Sequence, residues 1–142
     1  MAAGRLEGRA YVLADRSARG LSPLGWARRA VETAEAFGAR EIVAEANQGG
    51  EMVRTVLVQA GCNVPIRLVH ATHAKRARAE PVAALYEQGR VVHCASMPAL
   101  EEELMGLGNE ETRRSPDRAD ALVWAVTRLL LRRAAGPRLR RL

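Results

Sequence analysis

Apolar residues fall in short runs separated by polar breakers, and the runs alternate between strand and helix character along the chain. Arg9 to Ala14 (RAYVLA) is rich in strand formers and reads as a strand. Ser22-Pro23 then marks a helix start, with Ser22 as N-cap and Pro23 at the first helical position. Trp26, Ala27, Ala30, Val31, Ala34 and Phe37 recur at helical spacing until Gly38 stops the helix. Glu41 to Ala46 is an apolar run bounded by breakers, as suits a parallel strand covered on both faces, and it ends on the carboxylate of Glu45. Gly49-Gly50 opens a second helix through Val53, Val56 and Leu57 to Gly61, and Pro65 to Val69 is the next strand. A strand–helix–strand unit of this length argues for a parallel α/β sheet.

His70 to Ala79 is polar and basic, and the next helix is expected to start at Glu80-Pro81 and to end at Gly89. Arg90 to Cys94 reads as a short strand and Pro98 to Met105 as a short acidic helix. A polar loop from Gly106 to Ser115 precedes a last helix, from Pro116 to about Arg132. Its apolar face is formed by Ala121, Leu122, Ala125, Val126, Leu129 and Leu130. The expected organisation is one domain over residues 1–133 and a basic, flexible tail over 134–142 that carries Gly136-Pro137.

Length and composition leave this picture intact. A chain of 142 residues has room for one domain with a normal core. The net charge of +6 adds an expectation of polyanionic partners, and since Lys75 is the only lysine, that charge is almost all arginine. Cys62 and Cys94 belong to no zinc-type spacing and fit a reducing compartment. The apolar runs fall short of a membrane span and the N-terminus has no signal-peptide core, so no membrane partner and a cytoplasmic location are expected.

Three groups of residues are candidates for chemistry. Asp117 and Asp120 lie i, i+3 in the first turn of the last helix, where the dipole favours negative charge. Asp120 directly precedes the apolar face and so lies at the core's edge. With Glu45 at a strand's end, they form a possible oxygen-ligand set for Mg²⁺ or Mn²⁺. Asn47, Gln48, Gly49 and Gly50 form a turn before a helix, a place that suits a phosphate but matches no dinucleotide or P-loop pattern. Lys75, Arg76 and Arg78, with Arg113, Arg114 and Arg118 near the last helix, are candidate phosphate contacts. His70, His73 and His93 have no metal-ligand spacing.

The strings AYVLADRSARGLSPLGWARRAV, IVAEANQGGEMV, KRARAEPVAALYEQGRVVH and SPDRADALVWAVTRL, in this order, resemble the C-terminal nuclease domain of tailed-phage terminase large subunits, including those of prophages and gene transfer agents. The resemblance runs from about Arg9 to Leu130. It implies an RNase H-like mixed sheet flanked by helices and a metal-dependent endonuclease that cuts concatemeric DNA during packaging. It also implies Mg²⁺ or Mn²⁺, double-stranded DNA, an ATPase motor domain, a small terminase subunit and a portal as partners. Of the family's three metal-holding acids, Glu45 matches the one at the end of the fourth strand and Asp120 the one at the start of the last helix, with Asp117 auxiliary.

The chain departs from the pattern in having no Walker A sequence and in beginning at what corresponds to the third strand, so the fold is expected to lack the first β-hairpin and its aspartate. Asp15 is no replacement, since it follows a strand roughly 9–10 Å, or two strand spacings, away. A sheet of this kind leaves an open strand edge, and self-association through it is expected. The alternatives are a non-catalytic DNA-binding or assembly remnant of the same fold, or another RNase H-like nuclease such as a junction resolvase.

Overall fold

The computed structural model describes residues 1–47, 49–107 and 115–131. Gln48, Arg113, Arg114 and the basic tail therefore lie outside the described residues.

Among the described residues, five strands and five α-helices make up a mixed α/β fold. The strands are β1 (Ala2–Leu6), β2 (Arg9–Ala14), β3 (Ile42–Glu45), β4 (Ile66–Val69) and β5 (Val91–His93). The helices are α1 (Pro23–Ala36), α2 (Gly50–Gln59), α3 (Lys75–Glu87), α4 (Pro98–Gly106) and α5 (Asp117–Val126), and α5 runs on into a π-helical segment, Thr127–Leu131. One sheet has the order β1-β2-β5, antiparallel at β1–β2 and parallel at β2–β5; the other pairs β3 and β4 in parallel.

Where local signals are strong, the elements form as the sequence indicates. The hydroxyl of Ser22 accepts from the backbone N–H of Gly25 at 3.1 Å and so caps α1. Two elements differ from expectation. The chain carries an N-terminal hairpin, β1–β2, where the sequence indicates no strand before Arg9. The stretch AAGRL lacks β-branched residues, so its propensity is weak; pairing with β2 and a two-residue turn recruit it. Glu7 and Gly8 in that turn have φ of 48° and 76°, the left-handed pair that matches strand twist. The second difference is that α3 begins at Lys75, with Pro81 inside the helix instead of at its start. Lys75, Arg76 and Arg78 thus sit on the first turn of a helix and not in a loop.

Each sheet has its own core. Ala10, Val12, Leu85, Leu100, Leu122 and Val126 are buried together where α3, α4 and α5 cover the three-stranded sheet. Ala27, Val31 and Leu57 are buried beside β3 and β4, where α1 meets α2. The last helix ties the two halves together. Arg128 pairs with Glu41, next to β3, at 2.6 Å, and the carbonyl of Leu129 accepts from Arg5 of β1 at 3.3 Å. β1 and β3 pair with no strand on their other sides among the described residues. Accordingly Ile42, Val43 and Ala44 are only half-buried, short of the two-sided cover expected of a parallel strand.

Candidate functional site

β3 delivers Glu45 to the end of the two-stranded sheet, and α5 delivers Asp120 on its first turn. The guanidinium of Arg78, from the first turn of α3, lies between them. Its Nη2 is 2.6 Å from an Asp120 oxygen and 3.5 Å from a Glu45 oxygen. One nitrogen thus reaches two carboxylates that are 75 residues apart in the chain. Asp120 and Arg78 are deeply sunk, at 9% and 10% side-chain exposure, whereas Glu45 is 30% exposed and opens the cluster to solvent. Burying a carboxylate this far requires a paired cation, and Arg78 supplies it.

Further contacts fix the orientation of each group. The Glu45 carboxylate accepts from the Asn47 amide at 2.7 Å and from the indole N–H of Trp124 at 2.6 Å. The amide oxygen of Asn47 in turn accepts from the backbone N–H of Ala71 at 2.7 Å, joining the ends of β3 and β4. Arg78 donates to the carbonyl of His73 at 2.8 Å, and its guanidinium lies over the Trp124 ring, 5.1 Å from the centroid. The backbone around the turn is equally constrained. Gly49 has φ of 85°, and a Cβ on Gly50 would meet Leu68 at 3.2 Å and Ala46 at 3.3 Å, so α2 starts hard against the sheet.

The remaining candidates are placed differently. Asp117 stays outside the cluster, with a side chain 79% exposed and paired to Lys75 at 2.8 Å. Hydrogen bonds from Lys75 and Ser115 hold its carboxyl below the ordinary carboxylate value. Arg76 is exposed and makes no ion pair with another described residue. Arg118 is a structural tie: it pairs with Asp15 at 3.0 Å and with Glu103 at 3.1 Å. Glu103 also accepts from the backbone N–H groups of Arg118 and Ala119, so a carboxylate from α4 caps the start of α5. His93 takes no part in the acid cluster and is bonded instead to Tyr86 at 2.7 Å. Burial, with the charge of Glu101, pushes the Tyr86 hydroxyl up to about 12.

The Asp15–Arg118 tie gives a pH signature. Burial pulls the Asp15 carboxyl up, but hydrogen bonds from Ser17 and the charge of Arg118 outweigh it and leave it below its ordinary value. Asp15 therefore binds its proton more weakly when folded. Its stabilisation is complete above the unfolded carboxylate value and fades as pH falls through the folded one. Arg118→Ala is expected to cost about 1–3 kcal/mol at neutral pH. Urea melts between neutral and acid pH should show that loss shrinking as Asp15 protonates; a constant loss would contradict the tie.

As a metal site the donor set is small. Among the described residues no group of three or more His, Cys, Asp or Glu side chains could hold a metal. Two carboxylates that both reach one nitrogen do fit a single hard divalent cation, which takes one or two carboxylates and completes its shell with water and phosphate. Trp124 escaped sequence reasoning, although its position four residues after Asp120 puts it on the same helix face.

A family model described as "Terminase RNaseH-like domain" matches residues 1–129. No curated protein and no solved structure matches the chain.

Proposed function

The chain belongs to the terminase RNaseH-like domain family, and from that premise we propose that it is a metal-dependent DNA endonuclease domain that cuts concatemeric DNA during phage-type genome packaging. The single observation that carries this reading is the convergence of Glu45 and Asp120 on one point, at the open end of the β3–β4 sheet. An oxygen-loving cation, Mg²⁺ or Mn²⁺, would be held by these two carboxylates and would supply an activated water and charge neutralisation at a DNA phosphate.

The chain's own residues do the rest. Asn47 and Trp124 hold the Glu45 carboxylate in place. Arg76, exposed on the first turn of α3, is available to a phosphate, as is Lys75 if it leaves Asp117. Arg78 and Arg118 are engaged with carboxylates, so their contribution to DNA contact needs those pairs to open. The partners that go with this reading are double-stranded DNA, a terminase ATPase domain, a small terminase subunit and a portal. Its place is the cytoplasm of a bacterial host; among the described residues no helix is long and apolar enough to cross a membrane.

The test is nicking of supercoiled plasmid in Mn²⁺. The wild type is expected to cut, and Glu45→Ala and Asp120→Ala to cut at least about a hundredfold more slowly. Equal cutting by all three would remove the site assignment. A second reading, a DNA-binding module without cleavage, is favoured by the guanidinium that already pairs with both acids. It predicts salt-sensitive binding with no metal-dependent nicking.

A further inference from the structure

We infer that Arg78 is a built-in counter-ion that competes with a divalent cation for the Glu45–Asp120 pair, so that the pair is latched until the guanidinium withdraws. The inference rests on the metal-dependent reading above and adds a control on that same site.

Three observations support it. First, Arg78 Nη2 occupies the point that both carboxylates share, at 2.6 Å and 3.5 Å. A cation bound by the same two oxygens takes the same place, so the two occupants exclude each other. Second, the guanidinium is held by a set of contacts that it can give up together. Apart from the acids it has the carbonyl of His73 and the face of Trp124, while its buried Nε–H has no acceptor among the described residues. A buried donor without a partner leaves the inward position less than fully satisfied. Third, Glu45 does not depend on Arg78 for its orientation. Asn47 and Trp124 hold both of its oxygens, so the pair keeps one fixed member when Arg78 leaves.

The chemistry is an exchange of charge. With Arg78 inward, two negative charges meet one positive charge within hydrogen-bonding distance or just beyond it. When Arg78 leaves, the carboxylates repel each other and the site's demand for a doubly charged ion rises. The freed guanidinium lies on the same helical turn as Lys75 and Arg76, where a fork of N–H donors suits a phosphate. Binding of a polyanion to Arg78 and of a cation to the acids then favour each other, because both draw on the outward state.

The structure supplies its own reporter, since Trp124 touches both Arg78 and Glu45. The experiment titrates MnCl₂ into the full chain and into Arg78→Gln, by calorimetry and by tryptophan emission. Thermal melts with and without MgCl₂ establish that each variant is folded. The wild type is expected to bind weakly with a change in emission, as the indole loses its cation. Arg78→Gln is expected to bind at least about tenfold more tightly, because no charged hydrogen bond has to break first. Its melting temperature should also rise more steeply with Mg²⁺ than that of the wild type. If Arg78→Gln binds Mn²⁺ as weakly as the wild type or more weakly, the latch is overturned and the metal-dependent reading survives. If neither protein binds Mn²⁺, both fall. Arg78→Lys, which keeps the charge without the fork, is expected to lie between the two; affinity equal to that of Arg78→Gln would show that charge competition is not the cause.

Discussion

Asp120→Ala is expected to destabilise the fold by about 2–4 kcal/mol, the largest single-residue loss in the site. The variant leaves the guanidinium of Arg78 in place, 10% exposed, with its close carboxylate gone. Breaking a buried ion pair from one side costs about 3–5 kcal/mol, because the surviving charge stays desolvated. The loss is somewhat smaller in this site because Glu45, at 3.5 Å, and the His73 carbonyl still face the guanidinium. For a domain of this size the loss corresponds to a fall of about 10 °C in melting temperature. Removing both charges is a different matter. Arg78→Leu combined with Asp120→Ala leaves no buried ion, and such replacements are often neutral. The double variant is therefore expected to be more stable than Asp120→Ala alone, with a coupling of about 1–3 kcal/mol in a double-mutant cycle. Urea denaturation of the four proteins measures it; additive losses would mean that the pair is solvated and its short distance carries no energy.

That coupling links residues 42 positions apart, which explains why the sequence revealed the acids and not their arrangement. Glu45 and Asp120 stand out because each is a charge at the edge of an apolar run, a local signal. Arg78 carries no such signal, since one arginine in KRARAEP looks like its neighbours. Only the tertiary fold separates Arg76, exposed, from Arg78, sunk between two acids. Arg118 is similar: its partners Asp15 and Glu103 lie just past the end of β2 and on α4, 103 and 15 residues away. The start of α3 was obscured by a preference that is correct on average. Proline favours the first turn of a helix, but the ion pairs of Lys75 and Arg78 with α5 hold one more turn before Pro81. β1 was obscured for the opposite reason, since AAGRL has too little strand character to be seen without its partner strand. By contrast, β2, α1, α2 and β4 rest on caps, glycines and periodicity, and those are written locally.

The open side of β3 leads to the last expectation, that the chain associates with itself and that Val43→Pro suppresses it. The N–H groups of Ile42 and Ala46 donate to β4, to the carbonyls of Pro65 and Val69 at 2.9 Å. By the period of two along a strand, Val43 presents its N–H to the side where no strand pairs. Proline at that position removes an edge donor without costing a β3–β4 bond, and an edge strand tolerates it. The strand is four residues long, so edge pairing supplies only a few hydrogen bonds, each worth about 0.5–1.5 kcal/mol. Set against the cost of association, that gives a dissociation constant in the micromolar range or weaker. Half-buried Ile42, Val43 and Ala44 add apolar area that a neighbour would cover. Sedimentation velocity across about 1–100 μM should show the wild type growing with concentration. Val43→Pro should remain monomeric over the same range with an unchanged far-UV spectrum. A wild type that stays monomeric throughout would mean that the β3 edge is already covered within the chain. Equal association by the proline variant would place the contact elsewhere.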